Sequence, residues 1–183
     1  MIGVLVSGHG TNLQVLLDDG LPIAAVASNR PGAGALDRAH GADVDAAVFT
    51  LEDYGDREQR DLAMADFLAE RGVELVVLAG YMHLLTPPFL DRFPGRIVNV
   101  HPSLLPSFPG AHAAEDALAH GVKVTGVTVH LVDEKLDSGP ILFQEPVRVE
   151  DGDTPDSLHA RLQAVEHRLL PRAVRLLLGQ VAR

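Results

Sequence analysis

Glu74-Leu75-Val76-Val77-Leu78-Ala79 is the stretch on which the fold turns. It is a continuous apolar run of the kind found in strands buried on both faces. Upstream, Arg57 to Arg71 reads as a helix with Leu62, Ala65 and Leu68 on one side, ended by Gly72. Further back, apolar strands at Ile2 to Val6, Ile23 to Ala27 and Val44 to Phe49 alternate with helices at Asn12 to Asp18 and Ala35 to His40. Strands that alternate with helices build a parallel sheet from βαβ units, so the expectation is an α/β fold with an open, mostly parallel twisted sheet and helices on both faces.

Downstream the pattern changes. Arg96 to Val100 is a strand running into His101-Pro102, and residues 106–112 form a loop with Pro106, Pro109 and Gly110. Ala113 to His120 is a short helix stopped by Gly121. Val124 to Val132 alternates, with Val127, Val129 and Leu131 facing one way and Thr128 and His130 the other. Ile141 to Val149 reads as a strand paired with it, an antiparallel portion in the C-terminal half. The last helix opens at Thr154-Pro155-Asp156, a hydroxyl N-cap followed by proline and an early acid. It runs to about Leu178, with a kink expected at Pro171. No repeat or linker divides the chain, and a single domain over 1–183 is expected.

A length of 183 residues with 46% hydrophobic content is enough for one sizeable core. The absence of cysteine excludes disulfides, thiolate nucleophiles and Cys-ligated metal, and it fits a reducing cytoplasm. The apolar start has no basic flank and is broken by Ser7-Gly8-His9-Gly10, unlike a signal peptide. No apolar run reaches membrane-spanning length, so no membrane partner is expected. The net charge is −10 and the basic residues are scattered, which argues against a nucleic-acid partner. An anionic small substrate must then be held by local donors against an unfavourable overall field. Nine histidines are present, but none pairs with other ligands at metal-binding spacing, so no metal is expected.

Three segments carry candidate chemistry. Ser7-Gly8-His9-Gly10-Thr11-Asn12-Leu13 lies between a strand and a helix, where glycines and a helix N-terminus make an anion site. Leu13 stands where a dinucleotide fingerprint needs glycine, and the lysine of an ATP-type P-loop is absent, which leaves a small phosphate cradle or an ordinary βα turn. In Asn99-Val100-His101-Pro102, residues two apart share a side, so an amide and an imidazole face together at a strand end. That pair suits a developing oxyanion and proton transfer, although an isolated Asn-x-His is more often structural. Asp133-Glu134-Lys135-Leu136-Asp137-Ser138-Gly139-Pro140 is a loop whose acids are candidates to pair with His101; position alone does not choose among them.

Together these segments, with Leu78-Ala79-Gly80-Tyr81-Met82 and Phe108-Pro109-Gly110, resemble the phosphoribosylglycinamide formyltransferase family over nearly the whole chain. The resemblance implies 10-formyltetrahydrofolate as co-substrate and glycinamide ribonucleotide as acceptor, with Asn99, His101 and Asp137 catalytic. It implies a phosphate loop at Gly10, Thr11 and Asn12, a substrate-phosphate arginine at Arg57, and an acid meeting the substrate amine at Glu166. It puts the folate against Met82, His83, Leu84 and Leu85, and against backbone near Val132, Asp133 and Asp137. Glu166 also lies roughly 70° from the centre of the stripe of Leu158, Leu162, Val165 and Leu169, at the edge where a carboxylate faces a cleft. The chain departs from the pattern at His83, where many relatives carry arginine, and at His9, where asparagine is common. A formyltetrahydrofolate hydrolase and a non-catalytic folate- or phosphate-binding module are the competing readings.

Overall fold

The computed structural model describes residues 1–181. Its strands are β1 (Ile2–Val6), β2 (Ile23–Ser28), β3 (Asp45–Val48), β4 (Leu75–Leu78), β5 (Ile97–His101), β6 (Val124–Leu131) and β7 (Ile141–Arg148). Its helices are α1 (Thr11–Asp18), α2 (Gly34–Gly41), α3 (Arg57–Glu70), α4 (Pro87–Arg92), α5 (Ala113–Ala119) and α6 (Pro155–Val181). The strands form one seven-stranded sheet in the order β3-β2-β1-β4-β5-β6-β7. Strands β1 to β5 pair in parallel, and β6 and β7 are antiparallel. The expected α/β architecture is therefore present, antiparallel portion included.

Alternation along each strand feeds two cores. Ile2, Val4, Val6, Leu75, Val77, Val98 and Val100 pack with α1 and with the Leu158, Leu162, Val165 and Leu169 stripe of α6. Leu5, Val76, Leu78 and Ile97 point the other way, onto Met64, Ala65 and Leu68 of α3 and Phe89 of α4. Strand β4 is buried along its full length, as its unbroken apolar run requires.

One local expectation is corrected. Leu62 is 43% exposed rather than core. The inward stripe of α3 is Arg60, Asp61, Met64, Ala65 and Leu68, so two charged residues occupy places where periodicity alone looks for apolar ones. On β6, Thr128 and His130 are as buried as Val127 and Val129, so both faces of the strand are interior there. Helix α6 starts as expected, with Thr154 Oγ1 accepting from the Ser157 N–H at 3.2 Å, and it stays helical through Pro171. No helix among the described residues is long and apolar enough to cross a membrane.

The topology sets up the site. The chain steps outward from β1 to β2 and β3, then returns to place β4 on the other side of β1. At such a reversal the loops leaving neighbouring parallel strands splay apart and open a crevice beyond their carboxyl ends.

Candidate active site

A cavity of about 790 Å³ lies at that crevice. Its walls come from the glycine turn after β1, the 80–85 segment after β4, the end of β5, the 132–137 loop and the start of α6.

Asn99 and His101 stand on the face of β5 opposite Val98 and Val100, and the antiparallel register sets Asn99 across from His130 and His101 across from Thr128. The loops roof this half of the face. His101 Nε2 donates to the Phe108 carbonyl at 2.8 Å, and His101 Nδ1 lies 3.5 Å from Asp137 Oδ2. That second approach is of ion-pair length and long for a hydrogen bond, so Asp137 engages Nδ1 less closely than Phe108 engages Nε2. Both ring nitrogens of His101 thus face oxygen acceptors.

Asp137 is the acid the loop selects. It adopts a left-handed backbone (φ 50), and Oδ2 also accepts from the Gly110 N–H at 2.8 Å. Asp133 turns back on its own loop, accepting from Lys135 N–H and Ser138 Oγ, and Glu134 is exposed. Gly139 lets the loop close: a Cβ there would sit 1.9 Å from the Leu131 carbonyl oxygen.

His130 completes the group: projecting from the polar face of its strand, it is both a neighbour of the site and a buried, hydrogen-bonded histidine. It is 2% exposed, and burial holds its imidazole below the usual histidine range, which keeps it neutral. Nδ1 donates to the Leu131 carbonyl at 2.9 Å, so Nε2 carries the lone pair and accepts from Asn99 Nδ2 at 3.2 Å. The contact fixes which way the Asn99 amide points and leaves its second N–H for the cavity. The signal was present: antiparallel pairing of 124–132 against 96–100 brings position 130 beside 99.

The opposite wall is built from backbone. Gly10 precedes α1 in a left-handed conformation (φ 76), and no side chain caps the helix, so the N–H groups of its first turn remain donors at the cavity. Any Cβ at Gly10 would lie 2.5 Å from Ala35 Cβ. Helix α6 leans on this turn. Gln163 Nε2 donates to Thr11 Oγ1 at 2.9 Å, and Asn12 Nδ2 donates to Glu166 Oε2 at 2.8 Å. Glu166 is 6% exposed, so it is a buried, bonded carboxylate and not a surface acid.

The remaining sequence candidates divide. Met82, His83, Leu84, Leu85, Val132 and Asp133 all line the cavity. The Met82 N–H is anchored on Ser7 Oγ at 3.0 Å, and Val132 N–H on the Ile97 carbonyl at 2.8 Å. Arg57 is not brought to the glycine turn by any hydrogen bond; it donates to the Leu84 carbonyl, on the other wall. Among the described residues no group of three or more His, Asp or Glu is placed to hold a metal ion.

The profile of the formyl transferase family matches residues 1–174. The chain belongs to the formyl transferase family, on its phosphoribosylglycinamide branch. It is 47% identical over 176 residues to phosphoribosylglycinamide formyltransferase of Mycobacterium tuberculosis, covering 93% of this chain and 81% of that one. It is 44% identical over 181 residues to the trifunctional purine biosynthetic protein adenosine-3 of Gallus gallus, covering 96% of this chain but only 18% of the relative. The crystal structure of glycinamide ribonucleotide transformylase 1 from Symbiobacterium toebii superimposes with a TM-score of 0.94 at 50% identity, over 96% of this chain and 86% of that one. The chain thus spans most of the length of the Mycobacterium tuberculosis and Symbiobacterium toebii relatives and about a fifth of the Gallus gallus one.

Proposed function

We propose that this formyltransferase moves the formyl group of 10-formyltetrahydrofolate onto the amine of glycinamide ribonucleotide, as a cytoplasmic step of purine synthesis carried by one domain. The observation that carries the reading is the convergence of Asn99, His101 and Asp137 in one cavity whose far wall is an uncapped helix N-terminus. Such a helix end favours a phosphate. The buried Glu166, next to Asn12, suits the substrate amine. The exposed apolar Met82 and Leu84 and the backbone near Val132 and Asp133 suit a flat heterocycle such as the folate ring.

In this mechanism the substrate amine attacks the formyl carbon and a new C–N bond forms. The carbonyl electrons move onto oxygen, and the oxyanion is met by the free N–H of Asn99 and by Nδ1–H of His101. Asp137 balances the imidazolium and relays the proton that leaves the attacking amine. The tetrahedral centre then collapses, the bond to the folate nitrogen breaks, and that nitrogen takes the proton. Neutral His130 keeps the Asn99 donor aimed. Arg57, which donates to the Leu84 carbonyl beside the cavity, is assigned the substrate-phosphate role that the resemblance implies.

The test is a formyl-transfer assay with purified protein and both substrates. Acceptor-dependent loss of 10-formyltetrahydrofolate is expected. Equal loss without glycinamide ribonucleotide would mean water is the acceptor, and no loss in either case would mean a binding module.

A further inference from the structure

We infer that Arg60, buried beneath the 81–85 segment, holds His83 in the tautomer that offers Nε2–H to an anionic group of a bound substrate at the cavity mouth. The inference rests on the proposed reading that this cavity takes two anionic substrates, and it adds a positioning residue that no sequence signal pointed to.

Arg60 is fully buried on the inward stripe of α3, beside the equally buried Asp61. Removing such a pair from water is costly, so its placement calls for a compensating arrangement. Every arm of the guanidinium is engaged. Nε and Nη2 donate to Asp61 Oδ1 at 2.9 and 2.6 Å, and Nη1 meets His83 Nδ1 at 2.8 Å. Asp61 Oδ2 in turn accepts from the Thr86 N–H at 2.9 Å, which fastens the end of the segment that carries His83.

A guanidinium only donates, so His83 Nδ1 must accept and the neutral ring carries its proton on Nε2. Nε2 lies across the ring from Arg60, and His83 lines the cavity between the exposed Met82 and Leu84. The groups facing His83 are Arg60, Arg57 and Asp61 from α3, Arg30 from the loop after β2, and the Tyr81 ring at 6.0 Å. Burial, followed by the three arginines, holds its imidazole below the usual histidine range, so the ring stays neutral. In a chain of net charge −10, this cluster is a local positive region backing one oriented N–H. A carboxylate or phosphate oxygen is the acceptor that such a donor fits.

Two measurements test this. The first is steady-state kinetics of His83→Phe, which keeps a ring and removes the N–H. The KM of one substrate should rise on the order of tenfold with kcat within about twofold, the size expected for one hydrogen bond to a charged group. A rise for the formyl-folate assigns the anion to its carboxylate end; a rise for the ribonucleotide assigns it to the phosphate. Both KM values unchanged would overturn the inference. The second is two-bond 1H–15N correlation NMR of the unmodified protein, independent of turnover. The Nε2–H tautomer should persist as pH falls from about 8 into the range where an ordinary histidine protonates. In Arg60→Met/Asp61→Asn, which removes both charges and keeps an acceptor for Thr86, the Nδ1–H tautomer should appear and the ring should titrate nearer the ordinary range. An unmodified ring already showing Nδ1–H, or no change in the double variant, would overturn the role of Arg60. Absence of formyl transfer by the unmodified protein would instead remove the proposed function and leave the tautomer result standing.

Discussion

The two walls of the cavity are made from different materials. At the turn after β1, the donors are backbone N–H groups presented by Gly10 and the uncapped start of α1, and the side chains mainly hold the turn in place. At the end of β5, the polar groups facing the cavity are side chains, and the backbone serves to aim them: Phe108 and Asp137, both with left-handed φ, meet the same imidazole. A site made of backbone is sensitive to conformation and tolerant of residue identity. A site made of side chains is the reverse.

The contrast predicts its largest effect on the side-chain wall. Asn99→Ala and His101→Ala should each lower turnover by about 10²–10³, the usual effect of deleting one oxyanion donor. Folding should persist, because these side chains belong to the roofed face and to neither apolar core. Steady-state rates and melting curves on the purified variants check this, and a near-parental rate in either would end the assignment. Asp137→Asn keeps an oxygen for the Gly110 N–H and removes the charge beside His101. Its turnover should fall by roughly 10², the lower range for a lost acid–base partner.

How much of this could be read from residues follows the same division. The parallel half of the sheet was legible because β1 and β4 are apolar on both faces and leave no other place to sit. Asn99 and His101 were legible because a period of two puts them on one side of one strand. The choice of Asp137 over Asp133 and Glu134 was not, since it depends on a left-handed backbone and on the close pass of Gly139 under Leu131. Leu62 was misjudged for a related reason. Hydrophobic periodicity cannot see a core stripe that contains Arg60 and Asp61, because their burial is made tolerable by His83 and Thr86, far away in sequence.

On the backbone wall, conformation is the sensitive variable. Gly10→Ala forces a side chain into φ 76 and to within 2.5 Å of Ala35 Cβ. Stability should fall by about 1–2 kcal/mol from the left-handed backbone alone. The KM for glycinamide ribonucleotide should rise by about tenfold, since the first-turn donors move with the turn. A loss of kcat at unchanged KM would show that this wall takes part in the chemistry and not only in holding the phosphate.

A smaller effect is expected from acid. Because burial depresses the native pKa of His130, the unfolded chain takes up a proton below about pH 6.5 that the native state refuses. Stability is therefore fully present above that pH and is lost as pH falls towards the native value, with a slope of at most about 1.4 kcal/mol per pH unit from this one group. Denaturation midpoints across pH 5 to 8 for the parent and for His130→Gln should diverge in that direction, the variant being the flatter. Equal slopes would mean that His130 is not held neutral, and the aim of the Asn99 amide would need another cause.

The smallest effect should come from Thr11→Ala, which tests the tolerance of the backbone wall most directly. Thr11 contributes its N–H to the first turn of α1, and its hydroxyl accepts from Gln163. Alanine keeps the N–H and the helix, and removes one part-exposed hydrogen bond of about 1 kcal/mol. Gln163 sits on a helix already seated by Leu158, Leu162 and Val165, so the turn has other support. The KM for the ribonucleotide should therefore change by less than about fivefold, and kcat hardly at all. A change as large as that of Gly10→Ala would mean the hydroxyl itself holds the phosphate. In that case the two walls would be built on the same principle, each from side chains that the backbone merely carries.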